Sequence, residues 1–173
     1  MQREHIDLLD VRLSSVAEDG TLDAIAMRFD TVDTYGTTFD RNAFGNMSKR
    51  RIPMLWSHQQ DQVIGSWADF LTSATDLRAT GRLNLAIARA IEIRAMLLNQ
   101  DIGGVSIGFE TIKAESRAGG IRHITKAIIH EISLVALPSV PGARVTSVRN
   151  TVPDLSGFIR ATRRATLSLR GKD

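Results

Sequence analysis

Four histidines are the scarce chemical resource of this sequence: His5, His58, His123 and His130. A general base working near neutral pH is most often a histidine. His5 sits at the chain's start and is a poor candidate. His58 follows the apolar run Ile52–Trp56 and opens the polar connection His58-Gln-Gln-Asp-Gln62, which suits a strand end facing a cleft. The nucleophile candidate is Ser106, inside Gly104-Val105-Ser106-Ile107-Gly108-Phe109. Strand alternation puts Val105, Ile107 and Phe109 on one face, and Gly104, Ser106 and Gly108 on the other. Glycine inside a strand costs stability and often marks the close approach of another backbone or a ligand, so Gly104 and Gly108 are candidates for lining a peptide cleft. The third polar position comes from Ile128–Ile132, which holds His130 and Glu131. A hairpin centred near residues 118–119 sets Ser106 opposite residues 129–132, and directly opposed residues share a face. A one-residue slip exchanges His130 for Glu131, so the residues leave both open. Taken singly, a strand-end histidine or a serine between glycines is more often structural than chemical. Cysteine is absent, which excludes thiolate catalysis, disulfides and Cys-ligated zinc.

The elements that must position these residues read mostly as strands. Ile6–Leu13 is apolar-rich, a turn falls at Glu18-Asp19-Gly20, and Leu22–Phe29 completes a plausible strand pair. Asp30–Thr38 is turn-rich, and Asp40 is placed to N-cap a short helix through Asn42-Ala43-Phe44, ending near Gly45. Ile52–Trp56 and Val63–Leu71 read as strands. Asp76–Leu85 alternates Leu77, Ala79, Gly81, Leu83 and Leu85 on one face. The period changes over Ala86–Asn99, where Ile87, Ile91, Ala95 and Leu98 recur at helical spacing. Two long strands follow, Gly104–Ile112 and Ile121–Val135, joined through Glu115–Gly120. Pro138 and Pro141 are expected to end the sheet, and a last helix to run from Leu155 to Leu167. The pattern predicts an α+β protein built on a mainly antiparallel sheet or barrel. It has neither doubly wound alternation nor a glycine-rich phosphate loop.

The chain has 173 residues, 43% hydrophobic and 24% charged, which suits one globular domain. Its formal charge of +3 is uneven. Six basic residues and two acidic ones fall in 149–173, leaving 16 basic and 17 acidic in 1–148. The basic tail, helical or flexible, could touch nucleic acid or an acidic partner weakly. The near-neutral body and nine aromatics argue against a dedicated nucleic-acid surface. The start, MQREHIDLLD, lacks an apolar leader, and no apolar run reaches the roughly 18 residues of a membrane span. The expectation is a soluble, intracellular protein with no membrane partner.

Met54-Leu-Trp-Ser-His58, Gly104-Val-Ser-Ile-Gly-Phe109 and Glu131-Ile-Ser-Leu-Val135 with Pro138 resemble three signature blocks of the tailed-bacteriophage prohead maturation proteases. Leu22–Phe29, Tyr35-Gly36, Asn42-Ala-Phe44 and Ile64-Gly65 are similar to that family's other blocks. The resemblance covers residues 6–148, in order. It departs at Thr37-Thr38, where an acidic residue is common, and at Val140, where asparagine is common. The family is regarded as related to the herpesvirus assemblins, so the resemblance implies a closed β-barrel surrounded by helices. It also implies a protease domain over 1–148 and a tail over 149–173. Ser106 is then the nucleophile, His58 the general base and Glu131 the third member, with His130 the alternative because assemblins use a second histidine. The loop at Gly142, Ala143 and Arg144 is the candidate for oxyanion donors, since glycine permits unusual dihedrals. No metal or cofactor is required. The implied substrates are the major capsid and scaffold proteins, and the enzyme itself, inside proheads assembling in the host cytoplasm, with self-association of the enzyme. The alternative is a non-enzymatic β-barrel assembly or scaffolding protein in which Ser106 and His58 are structural.

Overall fold

The apolar alternation of the strands closes on itself. The computed structural model describes residues 19–47 and 50–148. In chain order the elements are β1 (Thr21–Arg28), β2 (Thr37–Phe39), β3 (Ile52–Trp56), β4 (Val63–Thr72), β5 (Asp76–Leu83), α1 (Ala88–Leu98), β6 (Gly104–Ser116), β7 (Arg122–Val135) and β8 (Arg144–Val148). Seven strands form a ring in the order β7, β3, β4, β5, β1, β8, β6, and back to β7. The ring closes at the β6–β8 seam through the single pair Gly104 and Arg144. Inside lie Leu22, Met54, Ile64, Leu77, Ile124, Ile129, Ile132 and Leu134, all buried. The face expected on β5 points inward, with Leu77, Ala79 and Leu83 buried. Gly81 is the gap in that face because Trp67 fills it: a Cβ there would lie 2.6 Å from the indole ring. The indole is fixed in turn by Nε1 donating to Ile132 O at 3.0 Å.

Three expectations about class are corrected. The barrel is mixed rather than antiparallel, because β7 takes both β2 and β3 as parallel partners. The protein is mostly β, with one α-helix among the described residues instead of a surrounding layer. That helix also turns a different face inward. Ala90, Ile93 and Leu97 are buried, while Ile91 and Leu98 of the anticipated stripe are 54% and 40% exposed. Within α1 the two stripes hold the same residue types, an alanine, an isoleucine and a leucine, and it is the one with Ala90 that packs on β4 and β5.

Local expectations fail where backbone partners are distant. Asp40 caps a turn rather than a helix: its Oδ1 accepts from Asn42 N–H at 2.7 Å. Ala43 O is spent on Ala127 N–H of β7 at 2.8 Å, so the turn cannot propagate as a helix. β2, at the end of the stretch expected to be turn-rich, exists by pairing with Arg122–Ile124. There Thr38 Oγ1 bonds the buried His123 Nδ1 at 2.8 Å, and Arg117 Nη2 donates to His123 Nε2 at 2.7 Å. The sheet does not end at the prolines, because β8 follows them and wedges between β1 and β6. The Ile6–Leu13 strand, the Leu155–Leu167 helix and the tail 149–173 lie outside the described residues.

The β4–β5 turn makes a pH prediction. Asp76, 4% exposed, accepts from Ser73 Oγ, Thr75 Oγ1 and Arg78 Nε at 3.0, 3.2 and 3.1 Å. Burial pushes its carboxyl up, but the Arg78 and hydroxyl bonds together outweigh that and hold it below the ordinary aspartate value. A depressed carboxyl stabilises the fold above its unfolded value, and that contribution is lost as pH falls through the folded one. Asp76→Asn is therefore expected to cost about 1.5–3 kcal/mol at neutral pH. The deficit should shrink below the aspartate range, as urea denaturation at the two pH values would measure.

Candidate active site

The site is built on one face of the β6–β7 hairpin. Gly104, Ser106 and Gly108 stand opposite Val135, Ser133 and Glu131. This register differs from the expected one, which set Ser106 against 129–132. The hairpin turns at Ala118–Gly120 with Gly119 and Gly120 at φ 77° and 75°. Its pairing then shifts by one residue at His130, where Gly108 faces Glu131 but Phe109 faces Ile129. The bulge throws His130 outward, where its Nε2 meets Glu110 Oε2 at 3.3 Å, both side chains more than half exposed. It also returns Glu131 to the face that carries Ser106.

Both glycines mark close approach, by atoms of the protein itself. The space above Gly108 is filled by Glu131: a Cβ there would lie 2.9 Å from the Glu131 Cδ and Cγ. A Cβ on Gly104 would lie 2.7 Å from Val135 O and 2.8 Å from Pro138 Cδ. The bare face admits the protein's own atoms at both positions, and Gly108 is what lets the Glu131 carboxylate lie over β6.

That carboxylate reaches His58. β3 runs parallel to β7, pairing Met54 with Ile132 and Trp56 with Leu134, and so delivers its end beside Ser133. The chain then turns sharply, with Ser57 and His58 at φ 52° and 60°. Left-handed backbone costs roughly 1–2 kcal/mol per non-glycine residue, and such strain gathers at functional sites. Three bonds hold it: Ser57 N–H to Leu134 O at 3.0 Å, Gln59 N–H to Trp56 O at 3.0 Å, and His58 N–H to Ser133 Oγ at 3.0 Å. The ring is fixed by Glu131 Oε1, 2.6 Å from His58 Nδ1. A carboxylate only accepts, so Nδ1 is the donor of this bond, and in the neutral imidazole Nε2 then holds the lone pair. Glu131 Oε2 accepts from Ser133 Oγ at 2.7 Å. Glu131 is mostly buried, whereas 45% of the His58 side chain is exposed.

Ser106 is buried at 8% exposure, with Ser139 Oγ 3.5 Å from its own Oγ. It lines a cavity of about 250 Å³ with Met27, Tyr35, Phe109, Arg122 and Val140. The larger cavity, about 810 Å³ over β4 and β5, contains none of the expected site residues. Beyond Gly104, no strand among the described residues pairs with the second edge of β6. In the loop proposed for oxyanion donors, Gly142 takes φ 79° and Ala143 N–H donates to Val140 O at 3.1 Å. Arg144 sits in β8, paired with Ile25 and Gly104. The residue that sequence reasoning missed is Ser133. Its signal was present, since Glu131 and Ser133 are two apart on one strand and must share a face.

A protein-family model described as the caudovirus prohead serine protease matches residues 8–156. The prohead protease of Enterobacteria phage HK97 is 21% identical over 165 residues, covering 89% of this chain and 73% of that protein. Among solved structures, KSHV protease in complex with a hexapeptide phosphonate inhibitor matches with a TM-score of 0.49 at 10% identity, over 72% of this chain and 63% of that one. The varicella-zoster virus protease matches with a TM-score of 0.37 at 13% identity, over 63% and 56%. The chain thus spans less than two thirds of either herpesvirus protein.

Proposed function

We propose, on the premise that this chain belongs to the caudovirus prohead serine protease family, that it cleaves peptide bonds by acyl transfer through Ser106, with His58 as general base and Glu131 orienting the base. The observation that carries the reading is the 2.6 Å bond between His58 Nδ1 and Glu131, made on the hairpin face that bears Ser106. His58 Nε2 takes the Ser106 proton as the hydroxyl attacks a peptide carbonyl. The proton then goes to the leaving amine, and water repeats the cycle on the acyl-enzyme. Glu131 keeps the ring in the required tautomer and stabilises the imidazolium. Backbone N–H groups of the loop at Gly142, Ala143 and Arg144 are the proposed oxyanion donors. Because the Ala143 N–H is directed to Val140 O, Gly142 is favoured among them.

An extended peptide can add as a strand along the unpaired edge of β6, with a side chain entering the cavity beside Ser106. The substrates proposed are the capsid and scaffold proteins of a phage prohead assembling in the host cytoplasm, and the chain's own tail over 149–173. Self-association of the enzyme belongs to the same reading. A fluorophosphonate probe is expected to label the full-length protein at Ser106, located by peptide mass spectrometry. A folded protein that resists labelling would instead be a β-barrel assembly component with Ser106 and His58 in structural roles.

A further inference from the structure

Resting on that reading, we propose that Ser133 is a positioning residue, which holds His58 and Glu131 in working register over Ser106. Three observations place it. It lies directly across the hairpin from Ser106, it has 0% exposure, and its hydroxyl joins two groups of the site. The direction of each bond is fixed by chemistry. A backbone N–H can only donate, so Ser133 Oγ accepts from His58 N–H at 3.0 Å. A carboxylate can only accept, so the Ser133 proton goes to Glu131 Oε2 at 2.7 Å. With its proton committed and no access to solvent, Ser133 cannot act as a nucleophile.

The result is a closed ring of hydrogen bonds: His58 backbone to Ser133, Ser133 to Glu131, Glu131 to the His58 imidazole. The histidine is gripped at both ends by one strand. The backbone grip matters because the His58 φ of 60° lies in the left-handed region, uncommon for a residue other than glycine. The ring grip depends on the carboxylate's orientation, and the Ser133 bond to Oε2 stops that carboxylate from rotating away from Nδ1. Removing the hydroxyl releases both.

Ser133→Ala is expected to lower kcat about 100-fold, the scale of a small misplacement of a reacting group, while leaving KM for a capsid-derived peptide unchanged. A serine that only stabilised the strand would lower the melting temperature and leave kcat alone. The second readout is the downfield proton resonance of the short His58 Nδ1–H···Glu131 bond, observed in a Ser106→Ala background, where self-cleavage is blocked. With Ser133→Ala added, that resonance should broaden or move. Ser133→Cys, near in size and a weak donor, covers the case in which alanine fails to fold, and should behave likewise. Loss of kcat together with a displaced resonance supports the assignment. A folded variant that keeps either the parent kcat or the parent resonance overturns it. If the parent neither cleaves nor labels at Ser106, the protease reading fails, while the resonance still reports whether Ser133 holds the pair.

Discussion

Ser106→Ala is expected to abolish cleavage of co-expressed capsid and scaffold proteins, lowering kcat on the order of 10⁶-fold, with the fold intact. Nucleophile and base act as a unit, so His58→Ala should cost about as much and the double variant little more. The structure says why the fold survives the first change. Ser106 lies between two glycine positions, and its contact with Ser139 Oγ is 3.5 Å long, at the limit of a hydrogen bond. Trading that hydroxyl for a methyl hydrogen costs the strand little. Cleavage followed by gel and mass spectrometry, beside a melting curve, separates chemistry from stability. A purified Ser106→Ala protein that cut its substrates at the parent rate would end the assignment.

The second large effect belongs to Glu131. Glu131→Gln should lower kcat roughly 10³–10⁴-fold, the scale seen when a triad carboxylate becomes an amide. An amide carries no charge to stabilise the imidazolium, and its NH₂, if turned to His58, imposes the wrong tautomer. His130→Gln is the control. Its exposed contact with Glu110 at 3.3 Å is of the kind worth about 0–1 kcal/mol, so near-parent activity is expected. Full activity in both variants would mean that Ser106 and His58 suffice as a dyad, and a loss confined to His130→Gln would reverse the assignment.

Much of the hairpin site was legible because it rests on alternation. Gly104, Ser106 and Gly108 had to share a face, and Glu131 or His130 had to come near them. The choice between those two was hidden by one inserted residue: the bulge at His130 moves the pairing, and no local pattern announces it. The glycines were legible as places of close approach, but not what approaches, since the Glu131 and Pro138 atoms arrive from another strand and another loop. β2 and β8 were missed for a related reason. Thr37–Phe39 and Arg144–Val148 are strands only because β7 and β1 supply partners. The inward face of α1 was not legible because both of its stripes carry an alanine, an isoleucine and a leucine.

The parallel pairing of β3 with β7 also sets an order of assembly. Ser106, Glu131 and Ser133 lie on one hairpin, whose contacts are local and form early. Met54 and Ile132, by contrast, are more than seventy residues apart in the chain and meet only when the barrel closes. Pairings of that range come late, since the entropy of closing the loop must be met first. If Ser106 and His58 act as proposed, a half-folded chain carries the nucleophile without the base. On the proposed reading, proteolytic competence would switch on only as the barrel closes, which a folding intermediate has yet to do.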